Sequence, residues 1–298
     1  MTGADVPSLE EHVPLWRFTT IGTGGPARWF ARPETLDELR QLLAWASERG
    51  LVVETIGLGS NLLAADEGVD ALVLKLSGEL ATARVEGATL VAGGGAPNAV
   101  ALHRARAAGL GGFEFAAAIP GTAGGGLRMN AGAYGRDWLD VMIDAVVVDA
   151  SGSRTVTTDD LELSYRHSSL RSGQVVAEVR FRLVPRPPAE VKARAAELLA
   201  QRKASQPTNK RTFGSVFKNP AEGPGAGSLV EECGLKGHRI GGAQISPRHA
   251  NFIENPGGAT SADCLALMAE ARRRVLERFG VRLEHEVQFL GPLELPSL

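Results

Sequence analysis

Cysteine is nearly absent from this chain of 298 residues. Its two cysteines, Cys233 and Cys264, lie far apart, and neither belongs to a Cys-x-x-Cys motif. This pattern indicates neither a disulfide framework nor a zinc site. We therefore expect no metal centre.

The chain also lacks an excess of either charge. It has 32 basic and 34 acidic residues, so its formal net charge is -2 and its pI is near 6.3. Proteins that bind nucleic acid usually show a basic excess or a basic stripe, and neither is present. We expect no nucleic acid among the partners of this protein.

Long apolar runs are missing as well. No stretch approaches the roughly 18 consecutive apolar residues of a candidate transmembrane helix. Residues 1–13 carry acidic side chains and no apolar segment, so we expect no signal peptide. Together these absences predict a soluble cytoplasmic protein that does not act at a membrane. Nothing in the sequence indicates an oligomer, and a monomer is our starting assumption.

Glycine, in contrast, is abundant. The chain has 36 glycines, whereas the usual share of about 7% would give about 21. They follow no period of three and apolar residues make up 44% of the chain, which excludes collagen and disorder. Because glycine destabilises regular elements, we expect many of these residues at tight turns or where the backbone closely approaches a ligand.

Strand-like and helix-like segments alternate along the chain. Apolar spacing predicts helices at 34–49, 96–108, 189–205 and 228–233, and a long helix capped by Ser261. Strands are predicted at 27–30, 51–56, 71–76, 89–92, 143–149, 175–184, 251–254 and 281–290. The run Pro185-Arg186-Pro187-Pro188 is interpreted as a linker, because its prolines stop sheets and helices. The pattern predicts a mixed α+β protein of two lobes.

Two glycine-rich segments are candidates for ligand binding. The turn Gly57-Leu58-Gly59-Ser60-Asn61 follows an apolar strand, and its backbone N–H groups could form a nest for phosphate oxygens. A plain tight turn is the alternative. The segment 119–135 has six glycines in 17 residues. Ordering so many glycines costs too much conformational entropy for a helix or a simple connector, which favours a ligand-binding segment. The alternative interpretation is a buried glycine-rich crossing between sheets. Two such segments in one lobe suggest a long phosphate-containing ligand, such as a dinucleotide.

Three polar positions could carry chemistry. Arg166 lies among small hydroxyl residues and suits a carboxylate or phosphate ligand, with a structural salt bridge as the alternative. Ser215 lies in a loop bounded by glycine and proline that does not match Gly-x-Ser-x-Gly, which argues against a serine hydrolase. Glu284 and Glu286 share one face of a predicted strand, and the pattern does not distinguish them.

Together these segments closely resemble the UDP-N-acetylenolpyruvoylglucosamine reductase family. Ten motifs occur in the family's order: Thr20-Ile21-Gly22-Thr23-Gly24-Gly25-Pro26-Ala27, Gly57-Leu58-Gly59-Ser60-Asn61-Leu62, Ile119-Pro120-Gly121-Thr122, Met129-Asn130-Ala131-Gly132-Ala133-Tyr134-Gly135, Ser164-Tyr165-Arg166, Gly214-Ser215-Val216-Phe217-Lys218-Asn219-Pro220, Gly234-Leu235-Lys236-Gly237, Ile240-Gly241-Gly242-Ala243, His249-Ala250-Asn251-Phe252-Ile253 and Leu283-Glu284-His285-Glu286-Val287. One motif would be weak evidence, but ten in order are specific.

The resemblance implies a two-lobed FAD-binding domain of the vanillyl-alcohol-oxidase type at 19–187 and a smaller α+β substrate domain at 188–298. It also implies that NADPH reduces FAD and that the enolpyruvyl group of UDP-N-acetylglucosamine enolpyruvate then becomes UDP-N-acetylmuramate for peptidoglycan synthesis. Hydride would pass from flavin N5 to C3, which leaves a carbanion at C2. Tyr134 and Tyr165 are the only tyrosines, so the chain resembles the shorter subclass that lacks a tyrosine loop.

Residue roles also follow from the resemblance. Ser215 would protonate C2, Arg166 would stabilise charge on the substrate carboxylate, and Glu286, in its protonated form, would polarise the enolate. The residues expected to bind FAD are Gly57, Leu58, Gly59, Ser60, Asn61, Leu62, Ala118, Ile119, Pro120, Gly121, Thr122, Gly125, Asn130, Ala131 and Gly132. Those expected to contact the UDP-sugar are Tyr165, Asn219, Gln244, His249 and Asn251.

Two other functional hypotheses stay open at this stage. An oxidase of the same FAD-binding superfamily fits the N-terminal half but leaves the Ser215 motif unexplained. A flavin or UDP-sugar sensor would keep the glycine-rich turns and show no turnover. The chain has no Gly-x-Gly-x-x-Gly beside a basic residue, so we expect no separate nicotinamide domain, and the resemblance suggests that NADPH and substrate use one site in turn.

Overall fold

A computed structural model describes residues 9–297, which form two compact units. Unit 1 contains the described residues up to Glu11, Trp29–Leu58 and Ala71–Gln201, and unit 2 contains His12–Arg28, Gly59–Asp70 and the residues from Arg202 onward. Because each unit is assembled from separated stretches, the units do not define one boundary, and the linear limits 19–187 and 188–298 stay a prediction. The segment 1–13, for which we predict no signal peptide, lies partly outside the described residues.

The strands and helices have the following limits. The strands are β1 (Leu9–Pro14), β2 (Pro26–Ala31), β3 (Val53–Thr55), β4 (Leu62–Ala64), β5 (Val69–Leu74), β6 (Ala83–Glu86), β7 (Thr89–Gly93), β8 (Leu110–Gly111), β9 (Gly132–Ala133), β10 (Arg136–Asp137), β11 (Met142–Asp149), β12 (Gly152–Thr157), β13 (Val175–Arg182), β14 (Val184–Pro185), β15 (Thr212–Ser215), β16 (Arg239–Ile240), β17 (Ala243–Ile245), β18 (Phe252–Glu254) and β19 (Gln288–Leu290). The α-helices are α1 (Leu36–Glu48), α2 (Asn98–Ala107), α3 (Ala123–Arg128), α4 (Pro188–Ser205), α5 (Ala226–Glu232) and α6 (Ser261–Phe279). Within residues 9–297, none of the helices combines the length and the hydropathy that crossing a membrane requires.

The largest sheet of unit 1 has five strands in the antiparallel order β12-β11-β13-β7-β6. Its central strands are buried on both faces. Val147 and Val179 belong to the core that surrounds Trp138, whereas Val148 and Ala177 belong to the core that includes α1. Burial on both faces explains why 143–149 is almost continuously apolar in sequence.

A second sheet has four strands in the order β1-β2-β5-β3, in which β3 and β5 run parallel. The predicted helix at 34–49 is confirmed as α1. It begins after Thr35, whose Oγ1 accepts a hydrogen bond of 3.2 Å from Glu38 N and so caps the first turn. Its apolar face, including Leu39, Leu42 and Trp45, is buried.

The glycine cluster contains a helix, so our prediction that it could not was wrong. Helix α3 includes Gly124, Gly125 and Gly126. A Cβ on Gly126 would overlap the Trp138 ring, and one on Gly124 would lie 2.9 Å from the carbonyl oxygen of Gly94. These glycines therefore allow close packing of the helix backbone, and that packing offsets the entropy that their flexibility costs.

Unit 2 contains a sheet in the order β15-β18-β17-β16 and the parallel pair β4 and β19. Helix α6 packs into its core and buries Cys264; burial raises the pKa of this thiol to about 12, and it forms no disulfide with Cys233. The cap of α6 is Thr260, not Ser261 as predicted. Thr260 and Asp263, three residues apart, form a capping box. Ser261 could not form this reciprocal pair, because the residue three positions after it is Cys264.

Two further predictions need correction. The proline-rich segment is not a free linker, because Pro185 belongs to β14, which pairs with β8, and Pro188 begins α4. Proline is tolerated in the first turn of a helix because no intrahelical donor is needed there. Within 281–290 only β19 is a strand. The apolar positions Leu283 and Val287 are still buried, and the segment between them pairs with residues 216–218 through an isolated antiparallel bridge between Phe217 and His285.

Candidate active site

The predicted cofactor residues 57–61 lie in the turn between β3 and β4, and Leu62 begins β4. Gly59 has a φ of +66°, and a Cβ at this position would overlap the carbonyl oxygen of Phe18, so the turn requires glycine. A Cβ on Gly57 would lie 2.7 Å from Thr122 Oγ1. Gly57 and Thr122 both belong to unit 1, so the two predicted cofactor segments approach each other at these two residues.

The second segment, 118–122, is fixed by a buried asparagine. Asn98 N donates to Gly121 O and Asn98 Nδ2 donates to Ile119 O, each at 3.0 Å. Thr122 then caps α3, because its Oγ1 accepts a hydrogen bond of 3.3 Å from Gly125 N. Asn98 was not among the predicted site residues; a polar residue at the start of a predicted helix is the pattern that could have indicated it.

These two turns present several free backbone donors. Within residues 9–297, the N–H groups of Gly57, Leu58, Gly121 and Thr122 donate no hydrogen bond. Successive N–H groups on glycine-rich turns are suited to phosphate oxygens. The residues present therefore fit a phosphate-bearing cofactor, and they would hold it through backbone atoms.

Asn130 occupies the interior of the same unit. It is 1% exposed, and its Nδ2 donates to Asp137 Oδ2 at 3.1 Å and to Ser164 O at 2.9 Å. Its Oδ1 accepts from Leu139 N at 3.0 Å. The Asn130 amide thus holds three segments together, and a contact between this residue and the cofactor stays a prediction.

Arg166 lies in a tight turn closed by reciprocal hydrogen bonds of 3.2 and 3.1 Å between Ser164 and His167. Its φ of +54° is in the left-handed region, an unfavourable conformation that is often found at functional sites. Its Nη2 donates to Gly132 O at 2.8 Å, and its guanidinium lies 5.1 Å from the centre of the Tyr165 ring. Unit 1 therefore brings Arg166 and Tyr165 to the predicted cofactor segment at Gly132.

In unit 2, Ser215 ends β15 opposite Phe252. The residues that follow it are held by Asn251, which is 4% exposed. Asn251 Oδ1 accepts from Phe217 N at 2.9 Å, and its Nδ2 donates to Phe217 O at 2.8 Å. The Asn251 amide thus fixes the backbone beside Ser215. Its contact with substrate stays a prediction, and its role in holding this loop was not predicted.

Glu286 lies on a segment that pairs with the Ser215 loop. Glu286 N donates to Val216 O at 2.8 Å. Asn61, at the end of the first cofactor turn, donates from Nδ2 to Glu286 O at 3.1 Å, and its carbonyl oxygen accepts from Gln288 N at 2.9 Å. Unit 2 therefore brings three predicted site residues, Asn61, Ser215 and Glu286, onto adjoining segments.

The structure separates Glu284 from Glu286. The Glu284 side chain is 76% exposed and lies 3.4 Å from Lys218 Nζ, whereas Glu286 is partly buried. A surface ion pair accounts for Glu284. The two carboxylates therefore differ in solvent exposure. The alternation of residues along a predicted strand could not show this difference.

The remaining predicted substrate residues each have a contact within unit 2. Asn219 Oδ1 accepts a hydrogen bond of 3.0 Å from the first residue of α5, and Gln244 Nε2 donates to Gly237 O at 3.1 Å. His249 Nδ1 accepts from Asn251 N at 3.2 Å, and burial lowers the pKa of His249. Contacts of these residues with a substrate stay predictions.

Comparison with known proteins identifies the family. An FAD binding domain family matches residues 27–158, and the C-terminal domain family of UDP-N-acetylenolpyruvoylglucosamine reductase matches residues 206–290. UDP-N-acetylenolpyruvoylglucosamine reductase 2 of Symbiobacterium thermophilum is 45% identical over 93% of this chain and 91% of its own length. This chain belongs to the UDP-N-acetylenolpyruvoylglucosamine reductase family. The reductase of Anaeromyxobacter dehalogenans is also 45% identical, over 96% of this chain and 87% of its own length.

A solved structure of the family supports the same assignment. The crystal structure of UDP-N-acetylenolpyruvylglucosamine reductase from Thermus caldophilus matches with a TM-score of 0.82 and 38% identity, over 94% of this chain and 98% of that chain. The predicted fold class is confirmed as an FAD-binding domain followed by a C-terminal α+β domain. The vanillyl-alcohol-oxidase type of the FAD-binding domain stays a prediction. The chain is an FAD-dependent oxidoreductase of this family.

Proposed function

We propose that this enzyme reduces the enolpyruvyl group of UDP-N-acetylglucosamine enolpyruvate to give UDP-N-acetylmuramate for peptidoglycan synthesis, with NADPH as the reductant, in the cytoplasm. Membership of the reductase family supports the proposal. The observation that carries it is the hydrogen bond from Glu286 N to Val216 O. This bond keeps Glu286 and the proposed proton donor Ser215 on neighbouring segments of unit 2.

Backbone atoms would provide most of the cofactor site. The FAD-binding residues are those predicted above, at 57–62, 118–122, 125 and 130–132. The chemistry that bound FAD would supply is hydride transfer, from NADPH through flavin N5 to C3 of the enolpyruvyl group. The N–H groups of Gly57, Leu58, Gly121 and Thr122, which have no acceptor within the described residues, support this assignment because they suit pyrophosphate oxygens.

Ser215 would complete the reduction. Hydride addition to C3 leaves an electron pair at C2, and the Ser215 hydroxyl gives its proton to this carbon so that a C2–H bond forms. Solvent then reprotonates the serine oxygen. A serine hydroxyl is a weak acid, and it is matched here to a strongly basic carbanion. The hydrogen bonds between Asn251 and Phe217 fix the loop beside Ser215, and this support would orient the hydroxyl for proton transfer.

Arg166 and Glu286 would stabilise the charge that develops during the reaction. The Arg166 guanidinium would bind the carboxylate of the substrate, since its planar donors match two oxygens. Protonated Glu286 would donate a hydrogen bond to the enolate that forms when the negative charge at C2 spreads onto this carboxylate. Removal of one preorganised donor of this kind typically costs about 2.7–4 kcal/mol of transition-state stabilisation.

The UDP-sugar would be the partner of the remaining predicted residues, which are Tyr165, Asn219, Gln244, His249 and Asn251. NADPH would occupy the same site before the sugar does, because the sequence contains no separate dinucleotide motif. Both ligands are small molecules.

Stopped-flow absorbance of the purified holoenzyme tests this proposal. NADPH should bleach the flavin band, and UDP-N-acetylglucosamine enolpyruvate should restore it. Ser215→Ala should leave bleaching within about twofold of wild type but slow recolouring by at least about 100-fold, the usual size of a general-acid contribution. Ser151→Ala is the control, because it removes an exposed hydroxyl in a turn of unit 1 and should alter neither step.

Each alternative gives a different result. Absence of flavin after gentle purification would contradict the assignment of the cofactor. Recolouring by oxygen, with no response to the enolpyruvyl substrate, would indicate an oxidase, and a bound flavin that never turns over would indicate a sensor. Unchanged recolouring in Ser215→Ala would show that another group donates the proton.

A further inference from the structure

Lys75 lies beside the first cofactor turn and takes no part in the proposed chemistry. Its Nζ donates a hydrogen bond of 2.5 Å to Gly57 O. The residue directly follows β5, and its backbone N–H donates to Ala31 O at 3.0 Å. The side chain therefore extends from a fixed point of unit 1 to the carbonyl of this turn.

The Lys75 ammonium group has no negative partner in the part of the chain that the structure describes. No carboxylate lies within the 4.0 Å limit of an ion pair, and the nearby charge that acts on it is the positive Arg32. Burial, and after it the charge of Arg32, lowers the pKa of Lys75. A partly buried cation without a counter-ion is unfavourable in the protein alone, so its surroundings suit a ligand with negative charge.

The contact with Gly57 links this cation to a free donor. Gly57 C=O and Leu58 N–H belong to the same peptide unit, which is trans, so the two groups point in opposite directions. Lys75 contacts the carbonyl side, and Leu58 N–H donates no hydrogen bond within residues 9–297. A cation on the carbonyl polarises the peptide and makes its N–H a stronger donor.

We propose that Lys75 is a positioning residue for FAD: its charge, acting through the Gly57–Leu58 peptide, strengthens the hold of this turn on the cofactor's pyrophosphate. The inference rests on the proposed FAD site. It requires no direct contact between Lys75 and FAD. It differs from a purely structural role, in which the hydrogen bond to Gly57 would matter and the charge would not.

Three substitutions separate the charge from the hydrogen bond. Lys75→Arg keeps both, Lys75→Gln keeps a donor without the charge, and Lys75→Met keeps neither. The matched control is Lys192→Met, which removes an exposed lysine from α4. Each holoenzyme is diluted into buffers of increasing salt concentration, and the release of FAD is followed by the rise of flavin fluorescence.

At low salt, Lys75→Gln and Lys75→Met should release FAD about tenfold faster than wild type or more, the loss expected for one charge-assisted interaction. Lys75→Arg should stay within about threefold of wild type, and Lys192→Met should match it. Because salt screens the ammonium charge, the difference between Lys75→Gln and wild type should narrow as salt rises. A purely structural hydrogen bond would give no such convergence.

Equal release of FAD by Lys75→Gln and wild type would overturn the proposal, and so would fast release by Lys75→Arg. Should Lys75→Met fail to fold, as judged by circular dichroism, the comparison of Arg with Gln still decides. Failure of the proposed function looks different, because the wild-type protein would then bind no FAD or would show no response to the enolpyruvyl substrate.

Discussion

The glycine-rich backbone around Gly57 and Gly121 in unit 1 and the Ser215 region of unit 2 (residues 212–220) are built in opposite ways. The turns at Gly57 and Gly121 offer backbone N–H groups, and they require small residues where segments approach closely. The Ser215 region depends on a side chain, the Asn251 amide, and on backbone pairing with Glu286. The first kind of site can be located from local composition, whereas the second exists only once distant segments have folded together.

This difference predicts how each region fails. A site made of close-packed backbone is damaged when atoms are added, because an extra Cβ has no space. A site held by a buried amide is damaged when atoms are removed, because its partners are left without hydrogen bonds. Substitutions of the two kinds should therefore have distinct signatures in stability and in kinetics.

The largest loss of stability is expected from Asn251→Ala. This change leaves Phe217 N–H and C=O without their partners, and each unsatisfied buried group costs about 1–3 kcal/mol. We expect the free energy of unfolding to fall by about 3 kcal/mol, as measured by chemical denaturation. Recolouring by substrate should slow more than bleaching by NADPH, because the displaced loop carries Ser215.

Asn255→Ala is a matched control for this prediction. Asn255 is 6% exposed, its Nδ2 donates to Ile21 O at 2.9 Å, and its Oδ1 accepts from Ala259 N at 3.2 Å. Its loss should lower stability by a similar amount without a selective effect on recolouring. Equal slowing of recolouring in both variants would show that Asn251 affects only overall stability.

Much of the secondary structure could be predicted from the sequence because its determinants are local. The apolar spacing that predicts helix 34–49 lies within α1 itself, and the cap, Thr35, directly precedes it. The start of α6 was misplaced by one residue because Thr260 and Ser261 are both good caps. The choice depends on the reciprocal bond with Asp263, which is a property of the folded turn.

Less of the candidate site could be predicted from residue patterns alone. Glycine counting located both turns, but it could not show that α3 is a helix packed against Trp138. Lys75 and Asn98 were missed because their partners are backbone carbonyls of other segments, and a carbonyl has no sequence signature. Glu286 could be chosen over Glu284 only from the family resemblance, because the sequence does not show which of the two side chains is exposed.

A smaller effect is expected from Gly126→Ala in α3. Alanine favours a helix over glycine by up to about 1 kcal/mol, but overpacking against the Trp138 ring costs about 1–3 kcal/mol. The free energy of unfolding should therefore fall by about 1 kcal/mol, as measured by chemical denaturation. At Gly125 the nearest atom to an added Cβ is Thr122 Oγ1 at 3.4 Å, so Gly125→Ala should not lower stability. Stabilisation by Gly126→Ala would contradict our explanation of this helix.

The smallest effect is expected from Glu284→Ala. It removes an exposed carboxylate whose ion pair with Lys218 contributes about 0–1 kcal/mol, so chemical denaturation and the rate of recolouring should change little. Glu286→Ala is the informative comparison, and recolouring should slow by about 100-fold when this charge-stabilising donor is lost. A larger kinetic loss at Glu284 than at Glu286 would reverse the assignment. It would also show that pairing with the Ser215 region and partial burial do not identify which of the two glutamates acts on the substrate.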